Sequence, residues 1–283
     1  MDVESLWQEL ETVLLPTLRG FRSRLGSLRV EEKADRTLLS EADLAVQEQI
    51  IRCIRAVDAD GLIVAEESAH LLGSPPEANG RVWIIDPIDG TSQFVAPDGR
   101  EFCTVVCLIE DREPVAAFVL APEIGPDRSP VTVRVTGRGK PIEINGEGVT
   151  GISTSARPQQ VSVTRSSGTQ PRGYEESLLA RGYHLKTRTT SQTLDMVRTC
   201  VDLAPFTDPA LESFGLFYRE RQKVWDGSAG ICLANATRGL FVGDGTGEER
   251  TTIDIALDVA EPQFDSTLIA SDPDATAIVA QKG

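Results

Sequence analysis

The 283-residue sequence is poor in the residues that mark several large functional classes. Lys and Arg number 28 against 43 Asp and Glu, a formal net charge of −15. A field of that sign repels nucleic-acid backbones and anionic membranes, so neither is expected as a partner. It also attracts cations. Only two His occur, and the five Cys (Cys53, Cys103, Cys107, Cys200 and Cys232) form no CxxC pair. That argues against zinc, and an odd number of cysteines set in apolar patterns fits buried reduced thiols better than disulfides. No stretch approaches the roughly 18 apolar residues of a membrane span. The first residues, Met1-Asp2-Val3-Glu4, lack the basic and apolar regions of a secretory leader, so a cytoplasmic protein is expected. No internal repeat or low-complexity tract is present. What remains is ordinary for a globular chain, 40% hydrophobic and 25% charged, and long enough for one large α/β domain or two halves.

The stretch from Val82 to Ser92 carries the strongest signal. Val82-Trp83-Ile84-Ile85 reads as a buried strand, and Asp86-Pro87-Ile88-Asp89-Gly90-Thr91-Ser92 interrupts it. Proline cannot donate a ladder hydrogen bond, so the strand is expected to end at Asp86. Two nearby carboxylates repel each other unless a proton or cation lies between them. Gly90-Thr91-Ser92 supplies backbone N–H groups and hydroxyls suited to an anion. Cation ligands beside an anion cradle point to metal-assisted phosphoryl chemistry, whereas Asp, Pro and Gly taken alone also make an ordinary surface turn.

Around this stretch the periodicity predicts an amphipathic helix over 3–25, a loop or hairpin tip at Lys33–Thr37, and a helix from Ser40 through Ile54. Ser40 and Asp43 make a capping-box-like pair, so spacing alone makes Asp43 a helix cap. A strand at 61–65 runs into Glu66-Glu67, a second apolar strand ending in acids. Strands at 101–110, 115–120, 131–136 and 141–144, with an Asn145-Gly146 hairpin turn, form a meandering, mostly antiparallel sheet. The Gly/Ser/Thr-rich segment 149–157 divides residues 1–150, an α+β half with the acidic motifs, from residues 151–283. The second half alternates strands (161–164, 184–187, 214–219, 239–243, 266–271) with helices (174–181, 191–201, from Val224, 274–280). His184 reads as a strand surface residue. Asp226 lies near the start of the Val224 helix, where cap and ligand are equally open readings.

Together these segments resemble the inositol monophosphatase family of magnesium-dependent, lithium-sensitive phosphatases. Glu66-Glu67 is similar to the family's strand-end pair. Asp86 to Thr91 matches its DP-(I/L)-DG-T motif, Trp225-Asp226-Gly227-Ser228-Ala229-Gly230 its WD-x-(A/S)-A-G motif, and Ser40 to Asp43 its (T/S)-x-x-D. The resemblance covers nearly the whole chain and implies an α/β fold, a layered α/β/α/β/α sandwich, often a homodimer. It implies two to three Mg²⁺ ions held by Glu66, Asp86, the Ile88 carbonyl, Asp89 and Asp226. It further implies Asp43, Glu66 and Thr91 as catalytic residues, with Thr91, polarised by Asp43, orienting a metal-activated water for in-line attack. The N–H groups of Gly90, Thr91 and Ser92 would hold phosphate oxygens.

Departures bear on substrate. The family's Asn after DGT-x is Gln93 here, and Ala236-Thr237-Arg238-Gly239 replaces Glu-Ala-Gly-Gly. The acid that contacts inositol hydroxyls in inositol-specific members aligns with Arg219, and Arg221 and Lys223 follow. An Arg there favours a second anionic group over a polyol, unless it is only a solvated strand edge. Lys33, Asp35 and Asp43 also look like the branch that cleaves 3′-phosphoadenosine 5′-phosphate. The expected activity is Mg²⁺-dependent hydrolysis of a small phosphorylated sugar, polyol or nucleotide. The rivals are a 3′(2′),5′-bisphosphate nucleotidase and a non-catalytic, protein-binding member of the fold.

Overall fold

Alternating side chains on each strand decide how the layers stack. In the computed structural model, residues 2–32, 38–67, 80–151, 158–164, 172–253 and 262–280 are described. The expected hairpin tip at Lys33–Thr37, with Lys33 and Asp35, lies outside them, as does most of segment 149–157.

The first half comprises α1 (Val3–Arg22), the hairpin β1 (Val30–Glu32) and β2 (Leu38–Ser40), α2 (Glu41–Val57), β3 (Leu62–Ala65), β4 (Arg81–Asp89) and the short α3 (Thr91–Val95). Then come β5 (Cys103–Glu110), β6 (Glu113–Ala121), β7 (Val131–Val135), β8 (Ile142–Ile144) and β9 (Glu147–Val149). The second half comprises β10 (Gln160–Val163), α4 (Gly173–Ala180), β11 (His184–Leu185), α5 (Gln192–Cys200), β12 (Leu216–Lys223), α6 (Val224–Ala236), β13 (Phe241–Gly243), β14 (Gln263–Ala270) and α7 (Pro273–Ala280). Strands β3 to β9 form a seven-stranded sheet in sequence order, antiparallel except for the parallel β3–β4 pair. The second sheet has five strands in the order β11-β10-β12-β14-β13.

Ile63, Trp83 and Ile85 face α1 and α2, whereas Leu62, Val64, Val82 and Ile84 face α5 and α6 in a different cluster. The far side of α5 and α6 packs on the second sheet through Phe217, Phe264 and Ile269. That sheet's outer face carries α4 and α7 through Val161, Leu178, Leu268 and Ile278. Five layers result, α/β/α/β/α. Trp7 pins α1, stacking on Phe118 at 5.5 Å, meeting Trp83 edge-on at 6.1 Å and donating to the Val135 carbonyl at 3.1 Å. Burying a side chain of this size contributes on the order of 1.5–3 kcal/mol.

One expected boundary is corrected. Strand β4 does not end at Asp86; it is assigned through Asp89, with its pairing to β5 broken between Asp86 and Asp89. Pro87 cannot donate, so the ladder skips it and resumes at Asp89 opposite Cys103, while Thr104 Oγ1 donates to the Pro87 carbonyl at 2.7 Å. The interruption is an irregularity inside the strand, and both acids are held by sheet. His184 is exposed on β11, as expected. The five cysteines are free thiols, four of them buried. No helix among the described residues is long and apolar enough to cross a membrane.

Candidate active site

Three acids from two segments meet where β4 ends and α6 begins. Asp86, Asp89 and Asp226 each offer a carboxylate oxygen within 4.8 Å of the others. Asp86 and Asp89 are 1% and 6% exposed. Asp226 is the third residue of α6; Lys223 occupies the cap position, so Asp226 is not a helix cap. Its Oδ2 accepts from Gln192 Nε2 at 2.7 Å.

Burial, then the charges of Glu66, Asp89 and Asp226, push the Asp86 carboxyl well above the usual carboxylate range. Burial, then Asp89 and Glu66, push Asp226 well above it too. Asp89 is raised by burial against the pull of its donors. Asp86 Oδ1 is fully buried without a hydrogen-bond partner. Repelling acids with an orphaned oxygen are what a hard cation resolves: oxygen donors of this type suit Mg²⁺ or Ca²⁺, and the residues fit such an ion. Glu66 leaves β3 alongside β4, its backbone N–H donating to the Ile85 carbonyl at 3.1 Å.

Asp89 is held by the start of α5. Ser191 Oγ donates to Oδ2 at 2.7 Å, Thr193 N–H to Oδ2 at 2.6 Å and Gln192 N–H to Oδ1 at 3.2 Å. A helix N-terminus carries unpaired N–H groups and a partial positive charge, so it stabilises a carboxylate without a cation. Ser191 also caps α5, accepting from Leu194 N–H at 2.9 Å.

Asp43 closes the capping box that its spacing predicted and also faces Thr91. Its Oδ2 closes the capping box with Ser40 N–H at 2.8 Å, while Oδ1 lies 3.4 Å from Thr91 Oγ1. Burial raises it to about 6, against the pull of Ser40. The Ile88 carbonyl lies 3.1 Å from Thr91 Oγ1, an alternative acceptor to Asp43 for its one hydroxyl hydrogen. Gly90 precedes α3 with φ +90°, a conformation that favours glycine, and a Cβ there would crowd the Glu101 carbonyl and the Ser191 nitrogen at 3.1 Å. The exit of α3 is fixed by buried Arg22, which donates to the carbonyls of Phe94, Ala96 and Gly99 and pairs with Glu123 at 2.9 Å.

Of the expected site residues, Asp43, Asp86, Ile88, Asp89, Gly90, Thr91 and Asp226 lie together, and Glu66 is close enough to raise Asp86. Ser92 follows Thr91 in α3. Arg219 is within electrostatic reach of Asp89 and Asp226, but its guanidinium is engaged by Ser162 Oγ at 2.8 Å, the Tyr218 carbonyl at 2.9 Å and Asp195 at 3.4 Å. Gln93 bonds the Thr189 carbonyl at 3.0 Å and Arg188 at 2.9 Å. Sequence reasoning missed Ser191, Gln192, Thr193 and Arg22. The one available signal was Ser191, a good cap at the start of a predicted helix.

Residues 8–275 match the inositol monophosphatase family. The chain belongs to that family. With it, the chain is a phosphoric monoester hydrolase. It is 28% identical to the inositol-1-monophosphatase ImpA of Mycolicibacterium smegmatis, over 89% of this chain and 85% of that protein. It is 35% identical to the 3′(2′),5′-bisphosphate nucleotidase CysQ of Aggregatibacter actinomycetemcomitans over 108 residues, 38% of this chain and 39% of that one. An IMPase structure from Thermotoga maritima superposes with a TM-score of 0.70 over 98% of this chain and 95% of its own, at 21% identity, a likeness of fold.

Proposed function

We propose that this family member is a Mg²⁺-dependent phosphomonoesterase acting on a small phosphorylated sugar, polyol or nucleotide. The observation that carries it is the meeting of Asp86, Asp89 and Asp226 within 4.8 Å, beside the glycine-led start of α3. Glu66, Asp86, the Ile88 carbonyl, Asp89 and Asp226 would hold two to three Mg²⁺ ions. Bound there, the ions would supply Lewis acidity to the phosphoryl group and neutralise charge on the attacking and leaving oxygens.

The chain's own residues would do the rest. Thr91 Oγ1, 3.4 Å from Asp43, would orient a water in line with the leaving oxygen, with Asp43 drawing on the hydroxyl hydrogen. The N–H groups of Gly90, Thr91 and Ser92, at the start of a helix, would bind the phosphate oxygens. Ser191 and Thr193 would keep Asp89 ionised and aimed. The leaving-group side is the less determined part. Arg219, whose side chain is 18% exposed, favours a substrate with a second anionic group. That, with the CysQ-type relative, supports a 3′(2′),5′-bisphosphate nucleotidase as the second reading. Lithium inhibition, a homodimer and a reducing, cytoplasmic setting accompany the family reading.

The test is phosphate release from a panel of inositol phosphates, sugar phosphates, histidinol phosphate and nucleoside bisphosphates, with and without Mg²⁺. Mg²⁺-dependent turnover of at least one is expected. No turnover of any, with no Mg²⁺ binding by calorimetry, favours the non-catalytic reading.

A further inference from the structure

Another buried acid, Asp195, has no part in the proposed chemistry. It stands in the first turn of α5 and is 1% exposed. Three cations and a hydroxyl converge on it. Lys186 Nζ reaches Oδ1 at 2.5 Å, and Arg198 lies 3.9 Å from the same oxygen. Ser162 Oγ donates to Oδ2 at 2.6 Å, and Arg219 Nη2 lies 3.4 Å from it. The partners come from β10, the β11–α5 loop, α5 itself and β12, so this one carboxylate ties the second sheet to α5. A buried ion pair needs one cation; here three surround one acid, with Glu101 sharing Arg198 at 3.4 Å.

Two links run from Asp195 to the cluster. The first is mechanical: Lys186 also donates to Thr190 Oγ1, and Thr190 precedes Ser191, Gln192 and Thr193, the three donors on Asp89. The second is electrostatic: Arg219 is felt by Asp89 and Asp226.

We propose that Asp195 is a positioning residue for the cation site: by gathering Lys186, Arg198 and Arg219 onto one carboxylate, it fixes the first turn of α5 against Asp89 and cancels positive charge that would otherwise face Asp89 and Asp226. It rests on the cluster's holding a divalent cation. The sign follows from charge count. Lys186, Arg198 and Arg219 against Asp195 and Glu101 leave one net positive charge with Asp195 ionised, and two without it. Asp195→Asn leaves Arg219 uncompensated within reach of the cluster, where it repels an incoming dication. Removing the Arg219 charge as well then relieves that repulsion, whereas a purely architectural role makes the two substitutions add as damage.

The experiment is calorimetric titration of Mg²⁺ into the full chain, as wild type, Asp195→Asn, Arg219→Gln and the double variant, with circular dichroism and thermal melts checking the fold. Asp195→Asn is expected to weaken Mg²⁺ binding about 10–100-fold, the scale of losing an outer-shell partner at a metal site. The double variant is expected to recover most of that loss. Equal affinity in a folded Asp195→Asn overturns the proposal, and so does a double variant weaker than the single. Should Asp195→Asn not fold, Arg219→Gln decides alone: tighter Mg²⁺ binding supports the proposal, and equal or weaker binding overturns it. A wild type that binds no Mg²⁺ sinks the cation-site reading and this proposal together; a wild type that binds, with variants unchanged, sinks this proposal only.

Discussion

The two ends of β4 bury carboxylates in opposite ways. At its start, Asp58 at the end of α2 receives Arg81 Nε and Nη2 at 3.0 and 2.9 Å and Trp83 Nε1 at 2.8 Å. The acid is 4% exposed, and these donors, Arg81 first, hold its carboxyl below the usual range. At the other end, Asp86 and Asp89 are equally buried and meet a third acid, Asp226, whose charge Lys223 offsets only in part. Their carboxyls are pushed up, chiefly by burial. The fold therefore pairs the acid at the start of β4 with a cation, gives Asp89 neutral donors only, and leaves Asp86 Oδ1 without a hydrogen-bond partner. A buried acid with its cation is architecture; buried acids without one are a site waiting for charge.

The contrast breaks most sharply on paired substitutions. Asp86→Asn is expected to lower phosphatase activity by orders of magnitude. In chelator the variant should melt no lower than the wild type, because it removes one of several repelling buried acids. Mg²⁺ should then raise the melting temperature of the wild type only. At a hundredfold excess over the dissociation constant, the gain is about 2.7 kcal/mol. A variant that melts well below the wild type without metal, or a wild type that Mg²⁺ leaves unmoved, would erase the distinction between the two ends.

Asp58→Asn should do the reverse. It removes the charge that Arg81 and Trp83 address, and should cost about 1–3 kcal/mol of stability in urea melts while leaving turnover intact. The pH dependence has a definite sign. The folded pKa of Asp58 lies below its unfolded value near 3.9. Its stabilisation is therefore complete above that unfolded value and is lost as pH falls through the folded one. The gap between wild type and Asp58→Asn should be constant at neutral pH and close below about pH 4. A gap that persists in acid would mean that packing at the Asp58 site, not charge, holds it.

How much of this was legible in the sequence depended on distance along the chain. The strand-end acids and the DPIDGT run are local patterns, whereas the five layers were implied by the family resemblance and not by periodicity, because β4, β5 and β6 are buried almost throughout. Asp43 was local as well, and its capping box formed as its spacing predicted. The grip of α5 on Asp89 joins residues more than 100 positions apart, by one serine hydroxyl and two backbone N–H groups of a kind every residue but proline supplies. Nothing in Gln192 or Thr193 advertises that role. The strand end was misplaced because Pro87 signals a lost donor but not that the partner strand resumes pairing beyond it. The pairing of Arg219 with Asp195, 24 residues away, was not legible, because the sequence displays the cation and hides its partner.

The finest test concerns the neutral donors on Asp89, which oppose its burial without overcoming it as Arg81 does for Asp58. Ser191→Ala removes one of three donors on Asp89 and also the α5 cap. Cap loss alone costs about 0.5–2 kcal/mol of stability. Loss of an outer-shell partner should in addition weaken Mg²⁺ binding, at the lower end of the roughly 10–100-fold range because two N–H donors remain. Ser191→Thr keeps both the hydroxyl and the cap and should restore affinity and stability together. If Ser191→Ala loses only stability, its hydroxyl serves the helix, and the neutral donors at this end of β4 position Asp89 without tuning it. If it loses affinity with little stability, the hydroxyl matters for the carboxylate's charge, and α5 works at this end as a neutral substitute for the arginine at the other.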